Sequence, residues 1–298
     1  MFKRLPFLCA AVLALAACHG GGDGSSTPSA PATSAAPAAP ATTNTAPASS
    51  APAPAHSSAP AAPASASAPT SNAEASQAAA APPAPSAADD AKWVEGKNYF
   101  LIQPQQPKVT NTDKIEVVEV FSFGCPICNA FHPMADKLAA SLPSDAVAVY
   151  LPASFIPQEN WPMLQRMYYT GQALGVTDKD NDAIYGAVWK TGVLSAERSI
   201  GGLKSPDELP TLADAAKVYA KFGIDPKQFL AVAHSFSVDL KVKRANDLIK
   251  AYGVDGTPTY VIDGKYRFDR GSAGGDTQTL ALAQYLVAKE AAALKTGH

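Results

Sequence analysis

Cysteine is scarce in this chain. Its four cysteines are Cys9, Cys18, Cys125 and Cys128. Cys9 falls in the stretch read below as an export signal and Cys18 directly after it as the residue to be lipidated, so a single pair remains and no disulfide-stapled framework is expected. The apolar run near the start, Leu5 to Ala17, falls short of the roughly 20 residues that cross a bilayer. Neither sign of charge is in excess, with 24 Lys+Arg against 26 Asp+Glu. No basic run lies beyond Lys3-Arg4, so no nucleic-acid partner and no electrostatic contact with anionic lipid is expected. The sequence also lacks a nucleophile-base-acid set and a glycine loop able to cradle phosphate.

Large apolar side chains and charges are nearly absent from His19 to Ala88, a stretch of Ala, Pro, Ser, Thr and Gly. Such a segment cannot bury enough surface to offset chain entropy, and its prolines favour extended conformations. It reads as a disordered tether over 18–88 with a mean reach of roughly 45 Å. An adhesive or glycosylated stalk has the same composition. Before it, Lys3-Arg4, the apolar run and Leu15-Ala16-Ala17-Cys18 follow the layout of a lipoprotein signal peptide over 1–17, with Cys18 as the lipidated residue and the membrane anchor. The alternative is an ordinary signal in which Cys18 is one apolar residue and cleavage falls elsewhere.

Residues 89–298 are long enough for a sizeable core. A β-rich run, Ile115 to Ser122, leads through Phe123-Gly124 into Cys125-Pro126-Ile127-Cys128. Two cysteines across the first turn of a helix can form a disulfide, and Pro126 suits the first helical position, where no N–H is needed. The helix N-terminus favours a thiolate on Cys125, while Cys128, one turn further in, is expected to be more buried and to resolve mixed disulfides. The pair reads as a redox site. Glu119 interrupts the buried strand: it lies either on an open face or behind Cys128 as a buried proton acceptor.

After Cys128 the apolar spacing predicts a helix carrying Phe131, Met134, Leu138 and Leu142, kinked at Pro133. A strand is expected over Ala146–Leu151 and a short one near Asn98–Ile102. A helical block spans about 158–252, with helices over Trp161–Leu174, Ala183–Leu194, Leu209–Phe222, Pro226–His234 and Val238–Tyr252. A strand from Thr257 to Ile262, a turn at Asp263-Gly264, a strand from Lys265 to Phe268 and a last helix from Thr277 to about Leu294 complete the pattern. A zinc site needs about four ligands. The cysteines have only His132 near them, expected at the surface, so no metal is expected. Trp161, Trp189, Met163 and Met167 read as core, with some free to line a peptide groove.

With Val118-Glu119-Val120-Phe121-Ser122-Phe123-Gly124-Cys125-Pro126-Ile127-Cys128, the helical insert, and Gly256-Thr257-Pro258 followed by Val261-Ile262-Asp263-Gly264-Lys265-Tyr266, the sequence resembles the thioredoxin superfamily. Within it, the sequence more closely resembles the DsbA family of bacterial periplasmic thiol-disulfide oxidoreductases. The resemblance implies an α/β thioredoxin-like fold with an inserted helical domain. It implies a cis Pro258 beside the disulfide, Thr257 facing the sulfurs, and Glu119 as the family's buried glutamate. The lysine that commonly partners this glutamate is replaced, Tyr150-Leu151-Pro152 standing where Lys-Tyr-His is typical. The implied activity is donation of the Cys125-Cys128 disulfide to exported, folding proteins with free cysteines, without a bound cofactor. Reoxidation would fall to a membrane quinone-linked partner. Location would be the periplasm of a Gram-negative bacterium, as a monomer. Thr257 also suits a reductase or isomerase, and a non-catalytic surface-binding lipoprotein is the alternative from another class. Ile127, in place of the histidine of strong oxidants, implies a milder oxidant with the helix N-terminus as the main stabiliser of the thiolate.

Overall fold

The computed structural model describes residues 85–176 and 178–297. The signal segment 1–17, the lipidation site at Cys18 and the tether up to residue 84 lie outside them. The described chain opens with helix α1 (Ala87–Lys92), two residues inside the stretch read as tether. Ser86 and Asp89 form a reciprocal capping box that holds this turn, satisfying two backbone donors that a short helix would otherwise leave open.

Five strands form one sheet in the order β1-β5-β4-β2-β3. They are β1 (Phe100–Leu101), β2 (Ile115–Phe121), β3 (Ala146–Pro152), β4 (Thr259–Ile262) and β5 (Tyr266–Asp269). β2 runs parallel to β3 and antiparallel to β4, and all seven of its residues are buried. Strand periodicity sorts its side chains to two faces. Ile115 and Val117 enter a core with Phe131, Leu138, Leu282 and Leu286; Val118 and Val120 enter a second core with residues of the helical block. The sheet is therefore covered on both sides, which is why β2 reads as a nearly continuous apolar run.

The connection between β2 and β3 is α2 (Pro126–Ser141), which continues through Pro133 without a break. Between β3 and β4 lie α3 (Trp161–Ala173), α4 (Asn181–Tyr185), α5 (Leu212–Tyr219), α6 (Pro226–Ala233) and α7 (Phe236–Ala251). The single helix expected over Ala183–Leu194 is instead α4 followed by a wider π turn, Gly186–Lys190. α8 (Arg270–Ala273) and α9 (Asp276–Thr296) end the fold, and among the described residues no helix is long and apolar enough to cross a membrane.

The β4–β5 turn follows its chemistry. Asp263 and Gly264 both have positive φ, 52° and 65°, the left-handed backbone that Asp and Gly adopt most readily in hairpin turns, and the pairing of Ile262 with Tyr266 leaves Lys265 in the turn as well. Gly264 is also obligatory for space, because a Cβ there would collide with the carbonyl of Gln106, whose N–H donates to the Gly264 carbonyl at 2.9 Å. β4 starts at Thr259, two residues later than expected, after a cis Thr257-Pro258 bond; a second cis bond, Gln103-Pro104, was not foreseen from sequence.

Within the helical block, α3 passes α5 closely at Gly171. A Cβ at that position would fall inside the contact radius of the Tyr219 ring, and that ring is itself buried against Phe229. Gly171→Ala should therefore lower stability by about 1–3 kcal/mol, the usual cost of overpacking a filled core, despite alanine's better helix propensity. A urea midpoint equal to or above that of the parent would show that this packing is looser than described.

Candidate functional site

β2 ends at Phe121, and Ser122 turns the chain. Its hydroxyl accepts from the N–H of Gly124 at 3.1 Å, and its carbonyl accepts from the N–H of Cys125 at 3.1 Å. Two tryptophans brace this turn. Trp189 donates its indole N–H to the Phe123 carbonyl at 2.8 Å. Trp161, held by Glu159 at 3.0 Å, lies so close to Gly124 that a Cβ there would be 2.7 Å from the indole nitrogen. The sequence reading placed both tryptophans in the core. Trp161 is buried and Trp189 half-buried, and neither the Trp189 hydrogen bond to the approach loop nor the packing of Trp161 on Gly124 was readable from spacing.

Cys125 is the N-cap of α2, with the N–H of Cys128 donating to its sulfur at 3.3 Å. Both cysteines are free thiols here. Cys125 is slightly exposed and Cys128 fully buried. Pro126 occupies the first helical turn and Ile127 stands half-exposed at 50%.

The two sulfurs are driven apart in acidity. The Cys125 thiol is lowered to about 6, first by the Cys128 thiol hydrogen-bonding to it, against the cost of burial, then by the Thr257 side chain and the N–H groups of Cys128 and Ile127. The helix start thus acts through the N–H groups of Cys128 and Ile127, and the Cys128 thiol and the Thr257 side chain act on the same sulfur beside it. Cys128 is pushed far up by burial, by giving its hydrogen bond to Cys125, and by the nearby charges of Cys125 and Glu119. The Cys125 thiol donates to the Thr257 carbonyl at 3.5 Å, and Pro258 is cis and buried beside it.

Glu119 is 5% exposed, which eliminates the open-face reading. Burial raises its carboxyl to about 8; the Tyr260 hydroxyl offsets part of this, and the charges of Asp136 and Cys125 add to it. Tyr260 influences the carboxyl without meeting ordinary hydrogen-bond geometry. The registers put Tyr150 and Tyr260 on either side of Glu119, so a tyrosine stands on β3 where the resemblance led us to look for a lysine. Tyr150 in turn reaches Asp136 at 3.5 Å. Glu116, to which the sequence pattern assigned nothing, is also buried. It is satisfied differently, accepting from the N–H groups of Val109 and Thr110 at 2.7 and 2.8 Å and from the Thr110 hydroxyl.

His132 requires a correction. Expected at the surface, it is 6% exposed and lies against the Tyr185 ring, with centroids 4.8 Å apart. Its helix position faces α4, an element whose placement no local spacing could supply.

A thiol lowered from its ordinary value to about 6 stabilises the folded, reduced protein. That contribution is complete above the ordinary thiol range near 8.5 and is lost as pH falls through about 6. The equilibrium with glutathione should therefore be flat below pH 6. Above it, the balance should move towards reduced protein by roughly tenfold per pH unit, until glutathione itself ionises. A slope that begins only near pH 8 would place the Cys125 thiol in the ordinary range.

Residues 116–286 match the DSBA-like thioredoxin domain family. The thiol:disulfide interchange protein DsbA of Pseudomonas aeruginosa PAO1 is 38% identical over 208 residues, 70% of this chain and 90% of that protein. The protein of the same name from Pseudomonas syringae pv. tomato is 36% identical over 200 residues, covering 67% and 86%. The crystal structure of Pseudomonas aeruginosa DsbA superposes with a TM-score of 0.59 at 36% identity, over 69% of this chain and 98% of that one. The chain belongs to the DSBA-like thioredoxin domain family.

Proposed function

We propose that this protein is a thiol-disulfide oxidoreductase that exchanges the Cys125-Cys128 disulfide with exported proteins carrying free cysteines. The observation that carries this reading is the placement of the two thiols, Cys125 as N-cap of α2 receiving the N–H of Cys128, and Cys128 fully buried one turn behind it, which lowers the first thiol and raises the second. In the oxidised state a substrate thiolate attacks the Cys125 sulfur. The disulfide breaks, its electron pair leaves on Cys128, and Cys128 takes a proton. Glu119, protonated below about pH 8, is the nearby acid able to supply it. A second substrate thiolate then attacks the substrate sulfur of the mixed disulfide, and Cys125 leaves as a thiolate. The substrate gains a disulfide and the protein gains two electrons. The low Cys125 pKa favours the second step, in which this sulfur is the leaving group.

The N-terminal segments complete the proposal. Lipidation at Cys18 would hold the protein at a membrane of a Gram-negative periplasm, the tether would let a domain beginning near Asp89 reach its substrates, and a quinone-linked membrane oxidase would restore the disulfide. The isomerase or reductase reading draws on one observation, the contribution of the Thr257 side chain to Cys125. Both readings use the same pair.

The roles separate in single variants. Cys128→Ser should accumulate substrates as mixed disulfides on Cys125, since the resolving sulfur is gone, and Cys125→Ser should trap none; adducts found mainly on Cys128 in non-reducing gels would reverse the assignment.

Poise is tested at position 127, whose half-exposed side chain offers only apolar bulk beside the Cys125 sulfur. A histidine there adds a donor or a positive charge. Ile127→His should lower the Cys125 pKa by about one unit and shift the glutathione equilibrium roughly tenfold towards the reduced protein. An unchanged thiolate titration would show that the residue between the cysteines does not set the poise.

A further inference from the structure

His132 stands at a second constellation, one helical turn beyond Cys128 and separate from the sulfurs. Its Nε2 is sealed from solvent and makes no hydrogen bond, although Asp182 Oδ1 lies 3.1 Å away and Asp136 Oδ2 3.7 Å away. A buried polar atom left without a hydrogen bond costs free energy, and native interiors rarely tolerate one without a reason. The two carboxylates it faces are solvent-accessible, with side chains 51% exposed at Asp136 and 83% at Asp182. The result is a buried nitrogen at the bottom of a site with two oxygen donors at its mouth.

The spacing has chemical meaning. His132 and Asp136 are four residues apart on α2, so they project from one helix face, the separation by which paired helical ligands hold zinc. Asp182 comes from the first turn of α4 and closes the third side. One ligand atom from each of the three residues lies within 4.8 Å of the others. Ligands about 2.0–2.2 Å from a zinc ion sit roughly 3–4 Å apart, so small rotations of the two exposed carboxylates suffice. The Tyr185 ring against His132 fixes the imidazole plane. Among the described residues this is the one grouping of three such donors.

We propose that His132, Asp136 and Asp182 form a site for a first-row divalent cation of the zinc type. One imidazole nitrogen and two carboxylate oxygens are the donor set such ions accept. The two carboxylates balance the charge of the ion, and the remaining coordination positions face solvent. Binding is exchangeable, because two of the three ligands are surface side chains. The site is distinct from the cysteine pair and takes no ligand from it.

The test uses the full chain in its disulfide form, so that neither sulfur can ligate metal. Titration with Zn²⁺ should give saturable one-to-one binding and a melting temperature that rises with zinc concentration. Asp182→Asn should weaken binding by about tenfold or more, the scale of loss on removing even the outer partners of such sites. Because Asp182 is largely exposed, this variant should fold like the parent, which keeps the test valid if His132→Ala proves unstable. Co²⁺ in place of Zn²⁺ should give ligand-field absorbance that Asp136→Asn alters. Absence of saturable Zn²⁺ binding would overturn the site and leave an imidazole between two carboxylates. So would Zn²⁺ binding that both aspartate variants leave unchanged, since the metal would then sit elsewhere on the chain.

Discussion

The hydrogen bonding of one sulfur organises this molecule. Cys125 ends an extended segment and begins a helix, and as N-cap it receives the backbone N–H of Cys128, one of the donors that every helix leaves open at its start. A thiolate satisfies that demand better than a thiol. The Cys128 thiol and the Thr257 side chain act on the same sulfur, so the helix start and the residue before the cis proline, remote in sequence, converge on it. What differs between the two cysteines is access to donors and to water, a consequence of one helical turn.

The rest of the fold holds that geometry in place. β2 delivers the chain from the middle of the sheet, the Ser122 turn redirects it, and Trp161 and Trp189 reach over from the helical block to close on Gly124 and the Phe123 carbonyl. The inserted helices thus do more than cover a sheet face, because they brace the loop before the reactive sulfur. Behind it, the two buried carboxylates of β2 have opposite fates. Glu116 is matched by backbone N–H groups and a hydroxyl, whereas Glu119 lies between tyrosines and is raised to about 8. A lysine would have kept Glu119 ionised; tyrosines leave it a carboxylic acid at neutral pH.

Much of this was legible in the residues themselves. The β-branched run of β2, the Cys-Pro-Ile-Cys helix start, the Asp-Gly hairpin and the apolar stripes of α3, α6, α7 and α9 depend on local periodicity and turn chemistry, which short stretches of chain carry entire. These elements emerged within a few residues of their expected bounds. α1 was missed because its six residues carry no apolar stripe and rest on one capping box. The π turn after α4 was missed because its local pattern is that of an ordinary helix.

By itself the sequence determined the reactive pair, the strand that presents it and the family resemblance, since all three are written in contiguous residues. Tertiary structure alone decided what surrounds them. Glu119 had two readings until β3 and β4 placed a tyrosine on each side of it. His132 read as a surface residue until α4, some 50 residues away in the chain, brought Tyr185 and Asp182 against it. The acidity of Cys125 likewise depends on Thr257, reached only through the return of β4 to the sheet. Burial and charge pairing are set by distances between segments remote in sequence, and periodicity along one segment carries no information about those distances.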